Sequence, residues 1–362
     1  MHWNGRPNRL AGLSQADWAW QTDSMKHLFL TAIAAASLVV PASAEEPAPI
    51  PSPGEIAAAA PASDWVAIAP SELLVMDLAP DAKDKPRRVV IQLMPAPFSQ
   101  GWIGNIRKLA AAHWWDGTSV NRVQDNYVAQ WGDATEKKAL PAGLETMDEH
   151  AYSLELEGIT YWEGPKTNTM SMKAIWRDPD PFKGGPILRD DSYADGAMFW
   201  KGWPVAMAGD AKADEIFDRG KSVWPVHCYG MVGVGRNMSP DAGSGAELYA
   251  VIGHAPRHLD RNIAVVGRVI SGIEYLSSLP RGTEALGFYK TKEERTAITS
   301  IRIASELSAT EQPRFEYLST EGDSFTRYFD ARKNRRDPFF IKPAGGADIC
   351  NIPVPVRPVV AK

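Results

Sequence analysis

Arg122, Tyr127, Val128 and Gln130 lie within one short stretch of the chain. On an unbroken strand Arg122 and Tyr127 would point to opposite faces. Gln124-Asp125-Asn126 between them is a turn sequence, and past it Val128 and Gln130 share one face. A guanidinium, an apolar patch and an amide are thereby brought together. The chemistry open to such a set is electrostatic. A guanidinium keeps its charge and offers five N–H donors in a fixed fork, so it can hold and polarise a bound group without a nucleophile. A lone Arg on a strand is most often a solvated or ion-paired surface residue, so the surroundings must carry the argument.

Other chemistries find little support. There is no Walker A loop, no HExxH and no GxSxG. Gly233-Val234-Gly235 lacks the strand–loop–helix setting of a nucleotide loop and reads as turn and strand packing. His254 and His258 are separated by Pro256, which argues against a metal pair on one helical face. No metal and no cofactor are expected. The 362 residues are 44% hydrophobic and 23% charged, enough to bury a sizeable core. The net charge of −5 comes without any long basic run, so nucleic acid is not an expected partner. Two cysteines cannot build a zinc ribbon or a disulfide-rich scaffold.

The elements that must position these residues are mostly strands. Residues 72–78 and 87–93 are strand-like, the second β-branched and partly alternating. After Pro95-Ala96-Pro97, the positions Phe98, Trp102, Ile106, Leu109, Ala110 and His113 recur at helical spacing, with Ser99 as the expected cap. Asp116-Gly117 closes that segment, and strand character returns over 119–131. Residues 134–205 are irregular and rich in tryptophan, with short strands expected near 152–156 and 168–174. Residues 229–235, 248–253, 263–270 and 297–303 read as strands, and 273–279 as a helical turn. Many short strands with two brief helices suggest a mostly β chain, a closed antiparallel β-barrel capped by two helices.

At these residues the sequence resembles the cyclophilin family of peptidyl-prolyl isomerases. The family pattern Phe-His-Arg, a turn, then Phe-Met-x-Gln-x-Gly-Asp is met by Val120-Asn121-Arg122 and Tyr127-Val128-Ala129-Gln130-Trp131-Gly132-Asp133. Asn105-Ile106-x-Lys108-Leu109 and Asp116-Gly117 stand in a similar register upstream. Downstream, Gly230-Met231-Val232-Gly233-Val234-Gly235-Arg236, Glu247-Leu248-Tyr249 and Leu259-Asp260 through Val269 follow in the family's order. The resemblance spans roughly 72–305. The chain departs from the pattern at Glu247, where the family carries Gln, at His258, where it carries an aromatic, and at Ile263, where it carries His or Tyr. The longer stretch 134–227 holds an insertion.

The resemblance implies a peptidyl-prolyl cis-trans isomerase acting on Xaa-Pro segments of unfolded or folding proteins. Rotation about that bond faces a barrier of about 18–20 kcal/mol and takes tens to hundreds of seconds unaided. No bond breaks. Arg122 is the implied catalytic residue, polarising the twisting amide. Tyr127, Val128, Gln130, Gly235, Glu247, Tyr249, His258, Leu259 and Ile263 are the implied substrate-binding residues. The altered positions also fit a cyclophilin-like binding module or chaperone with little catalysis. A more distant reading is an envelope structural protein whose Trp-rich insertion makes contacts.

Lys26-His27, the apolar run 28–40, Pro41 and Ala42-Ser43-Ala44 have the order of a secretory signal peptide. The run is too short to span a bilayer comfortably, which requires about 20 residues. Cleavage before Glu45 and a periplasmic or secreted protein with no stable membrane insertion are therefore expected. Met25 reads as the true start and 1–24 as an upstream mis-start. In an oxidising setting Cys228 and Cys350 are candidates for a disulfide. The expected organisation is 25–44 signal, 45–63 an extended Pro/Ala-rich linker, 64–307 the barrel domain with the insertion in 134–227, and 308–362 a C-terminal tail.

Overall fold

The structure, a computed structural model, describes residues 49–155, 160–163, 169–173, 182–188, 191–208 and 222–359. The expected upstream segment and signal peptide lie outside the described residues. In chain order the first elements are α1 (Pro53–Ala58), β1 (Trp65–Ala67), β2 (Leu73–Leu78), β3 (Arg87–Leu93), α2 (Gln100–Ala111), β4 (Ser119–Val123) and β5 (Val128–Gly132). Then come β6 (Leu154–Glu155), β7 (Thr160–Glu163), β8 (Thr169–Lys173), β9 (Phe182–Leu188), β10 (Gly196–Trp200), β11 (Trp203–Ala208) and β12 (Ser222–Pro225). The remainder are β13 (Met231–Val234), β14 (Leu248–Val251), β15 (Val265–Ser271), α3 (Glu274–Ser277), β16 (Thr296–Ile303), β17 (Phe315–Leu318), α4 (Asp323–Lys333) and β18 (Val356–Pro358).

Eight strands close into an antiparallel barrel in the order β13-β14-β5-β4-β16-β2-β3-β15. Alternation sorts its faces. Val120, Ala129, Trp131, Leu248 and Ala250 belong to the main core, whereas Val128, Tyr249 and Val251 cluster apart from it. On the far side, β2 and β3 lack simple alternation because both faces are covered. Leu73, Val75 and Val90 pack against Phe315, Tyr317 and Val356 of a three-stranded sheet, β1-β17-β18. The buried side of α2 carries Trp102, Ile103, Ile106, Leu109 and Ala110, the helical spacing read from the sequence.

Two expectations are corrected. Ser99 does not cap α2 with its side chain: its backbone is left-handed, and its hydroxyl donates to the Val265 carbonyl at 2.7 Å, tying the helix to β15. Residues 53–58, expected within an extended linker, form a helix closed by a Ser52/Glu55 capping box. Its supporting contacts come from α4, far along the chain. Beside α2 and α3 of the barrel segment, the described residues hold two further helices, α1 and α4.

The tryptophan-rich stretch 134–205 contributes to a seven-stranded sheet, β6-β12-β11-β10-β9-β8-β7. Its tryptophans Trp200 and Trp203 are fully buried rather than displayed for contacts. Trp200 packs edge-on against Phe98 at 5.3 Å, beside the start of α2. Arg268 of β15 is buried under Trp203, with its centre 4.6 Å from that ring, and donates to the Gly202 carbonyl. The tail joins the same body. Phe325 of α4 stands 5.0 Å from Phe199 of β10, and Cys350 is disulfide-bonded to Cys228, with Cα atoms 5.0 Å apart.

Candidate active site

Strand register places four site residues in one row. Arg122 on β4 faces Gln130 on β5, Gln130 faces Tyr249 on β14, and Tyr249 faces Gly233 on β13. In antiparallel pairing, directly opposed residues share a face. The row lies on the face bearing Val128 and Val251, with Tyr127, Leu259 and Ile263 packed around them. An open cleft of about 740 Å³ is lined by Arg122, Gln130 and Tyr249 of this row and by Glu247, Phe288 and the loop after β13.

The Arg122 guanidinium is held on three sides. Nε donates to the Leu286 carbonyl at 2.7 Å, Nη1 to Gln130 Oε1 at 3.0 Å, and Nη2 to Gln124 Oε1 at 2.5 Å. That engages three of the five N–H groups and leaves two for a bound group. Its centre lies 5.7 Å from the Tyr127 ring and 5.4 Å from Phe288. The loop supplying Leu286 and Phe288 is stitched to β4 by Gly282 N–H to Val123 O and Tyr289 N–H to Asn121 O. Burial lowers the Arg122 pKa, and the Tyr127 and Tyr249 hydroxyls oppose that shift. The group remains a cation at neutral pH.

Tyr249 forms the floor. Its hydroxyl pairs with His227 Nε2 at 3.1 Å, and His227 Nδ1 with Asp260 Oδ1 at 3.0 Å. Asp260 accepts from Arg257 at 2.6 Å, and Arg257 also grips Asp191 through two 2.9 Å bonds. His227 is fully buried, and Arg257 and Asp260 nearly so. Burial alone would raise the Asp260 carboxyl; His227 and Arg257 outweigh it and hold the value below the ordinary range. Burial drives the Tyr249 phenol well above its ordinary value, so it stays protonated and serves as a donor.

Glu247 enters the cleft just before β14. The loop ahead of it is fixed from α2 and the segment after it: Trp102 Nε1 donates to Ala242 O, Asn105 Nδ2 to Ser244 O, and Trp115 Nε1 to Ala246 O. The carboxylate lies over Gly132, where an added Cβ would overlap Oε1 at 1.9 Å. Burial raises its pKa to about 6, opposed by the amides of Gln130 and Asn121 and by the Asp133 N–H.

The sequence matches the model of the cyclophilin type peptidyl-prolyl cis-trans isomerase/CLD family over residues 88–305. The chain belongs to the cyclophilin family.

Among solved structures it is similar to the cyclophilin AquaCyp293 from Hirschia baltica, at 21% identity and a TM-score of 0.56, over 82% of this chain and 94% of that one. That likeness reaches beyond the barrel. A Cryptosporidium parvum cyclophilin type peptidyl-prolyl cis-trans isomerase, solved in the presence of the dipeptide Ala-Pro, matches at 10% identity and a TM-score of 0.32, over 63% of this chain and 98% of that one. No curated protein matches the sequence.

Within this cyclophilin, Arg122, Tyr127, Val128, Gln130, Gly235, Glu247, Tyr249 and Ile263 all line the cleft. Leu259 packs behind its apolar wall. His258 stands outside the lining, exposed and stacked on Tyr127 with ring centres 6.3 Å apart. Sequence reasoning missed Gln124, Leu286 and Phe288 around Arg122, and His227 beneath Tyr249. Gln124 was open to discovery, since its amide sits in the turn next to Arg122. The others come from remote segments with no local signal.

Proposed function

We propose that this cyclophilin isomerises Xaa-Pro bonds in exported proteins, with Arg122 as the catalytic residue. The observation that carries this reading is the held guanidinium beside an apolar wall, with two N–H groups left over. The proline ring enters the slot formed by Val128, Tyr249 and Ile263. The uncommitted Arg122 donors face the adjoining amide. As that amide twists, its nitrogen loses conjugation and gains basicity, and a fixed cationic donor favours the twisted state over either planar one. Gln124, Gln130 and the Leu286 carbonyl spend no reorganisation during the turn, because they hold the fork beforehand.

Export is supported by the signal-like order of residues 25–44 and by the Cys228–Cys350 bond, which suits an oxidising compartment. N-terminal sequencing of the exported protein is expected to begin near Glu45. An intact Met25 in a soluble extracytoplasmic pool would oppose it.

A second reading, a cyclophilin-like module that binds Xaa-Pro segments with little turnover, is favoured by Ile263 in the cleft lining where the family carries a ring. A protease-coupled or NMR exchange assay on Xaa-Pro peptides separates the two. Acceleration over the spontaneous rate supports the isomerase; peptide binding without acceleration supports the module.

A further inference from the structure

Glu247 has a relation to Arg122 that runs through a third side chain. Gln130 turns its Oε1 toward Arg122, at 3.0 Å from Nη1. Its Nε2 consequently faces the other way, toward Gly235 and the Glu247 carboxyl. The order is carboxylate, amide, guanidinium. An amide has one donor end and one acceptor end, so fixing one end fixes the other.

One buried acceptor marks the spot. Glu247 Oε2 is buried without a hydrogen-bond donor, and Asn121 turns the donor end of its amide toward the same carboxyl. Asn121 is 6% exposed. A proton on the carboxyl would remove the charge that these amide donors face. A glutamine at 247 would lack that charge at every pH; the carboxyl lacks it only when protonated.

We propose that Glu247 is a positioning residue for the isomerase reaction: as a carboxylate it takes the Gln130 N–H and aims the Gln130 carbonyl at Arg122, and on gaining a proton it relaxes that hold. The inference rests on the isomerase reading above and adds its regulation by acidity. The raised Glu247 pKa, about 6, puts the change within reach of a mildly acid envelope.

The groups facing Glu247 bear on its titration. Asp133, at the end of β5, raises its value through its charge and lowers it through its N–H. Arg122 on β4 is bonded to the far end of Gln130. Arg236 and Asp241 flank the cleft from the loop after β13. His258 stacks on Tyr127 outside the cleft lining. His258→Gln serves as the control for that ring.

The test is a pH profile of isomerisation between pH 5 and 8, on a peptide with no titrating group. In wild type kcat is expected to fall about three- to tenfold as the pH drops through 6, with KM changed less than about twofold, because a weaker charge-assisted bond loosens only the positioning of Arg122. Glu247→Gln is expected to give a flat profile at the level of the wild-type acid limb, and His258→Gln to keep the wild-type shape. The Gln130 side-chain amide resonances are expected to titrate in wild type and not in Glu247→Gln. A flat wild-type profile, or an acid limb that survives in Glu247→Gln, would overturn the proposal. If wild type accelerates no peptide at any pH, the isomerase reading fails; the Gln130 resonances then still decide whether Glu247 controls that amide.

Discussion

Gly233 and Tyr249 are directly opposed on neighbouring strands, and the Tyr249 ring occupies the space a side chain at 233 would need. An ideal Cβ there would lie 2.3 Å from the Tyr249 hydroxyl and 2.4 Å from its ring carbon. The neighbour is a ring anchored below by His227, so it cannot swing aside cheaply.

Gly233→Ala is therefore expected to displace Tyr249 and deform the slot. The measurement is kcat/KM on an Xaa-Pro peptide, expected to fall about tenfold or more, with a stability loss of about 1–3 kcal/mol from overpacking. Unchanged kinetics would show that the ring does not shape the binding surface.

Glu247 makes stability depend on pH in a defined direction. Its folded value, about 6, lies above its ordinary value of 4.5. Its contribution is thus fully present below about pH 4.5 and is lost as the pH rises through 6, an effect of about 2 kcal/mol. Urea unfolding at pH 7.5 is expected to find Glu247→Gln more stable than wild type by about 1–2 kcal/mol. The gap is expected to close near pH 4.5. Equal stability at pH 7.5 would contradict the burial of this carboxyl.

The Cys228–Cys350 bond closes a separation of 122 residues. It ties the tail to the segment that carries His227, one residue before Cys228. Cys350→Ser is expected to cost about 2–5 kcal/mol, the range for removing a native bridge. It is also expected to speed proteolysis of the tail. Peptide mapping without reductant checks the bond itself: two freely alkylated thiols in the native protein would contradict it.

The barrel was legible where its signals are local. β3 begins and ends at Arg87 and Leu93, as the β-branched run indicates. The β4–β5 hairpin follows from the Gln124-Asp125-Asn126 turn, with Asn126 in the left-handed region. Legibility failed where partners are distant. β10, Gly196–Trp200, is buried at every position, so it has no alternation to read. The helix α1 sits in a Pro/Ala-rich stretch, where its local signal is the short Ser52/Glu55 capping box and its packing partner is the distant α4.

The site divides the same way. Arg122 and Gln130 could be paired from the hairpin alone, since they oppose each other in its register. The Leu286 carbonyl lies 164 residues from Arg122 in sequence and carries no residue-type signature, because any backbone could supply it. His227 reads locally as an isolated histidine, and only the fold brings Asp260 and Tyr249 to its two nitrogens.

The central claim is that Arg122 drives the isomerisation. The measurement that tests it most directly is the exchange rate of an Xaa-Pro peptide with wild type, Arg122→Ala and Arg122→Lys, each shown to be folded by circular dichroism. Removing a preorganised charged donor typically costs about 2.7–4 kcal/mol, so Arg122→Ala is expected to lose about 10²–10³-fold in kcat/KM. Arg122→Lys is expected to recover little, because an ammonium cannot bond Leu286, Gln124 and Gln130 and still present a planar fork. A folded Arg122→Ala that isomerises the peptide as fast as wild type would contradict the account.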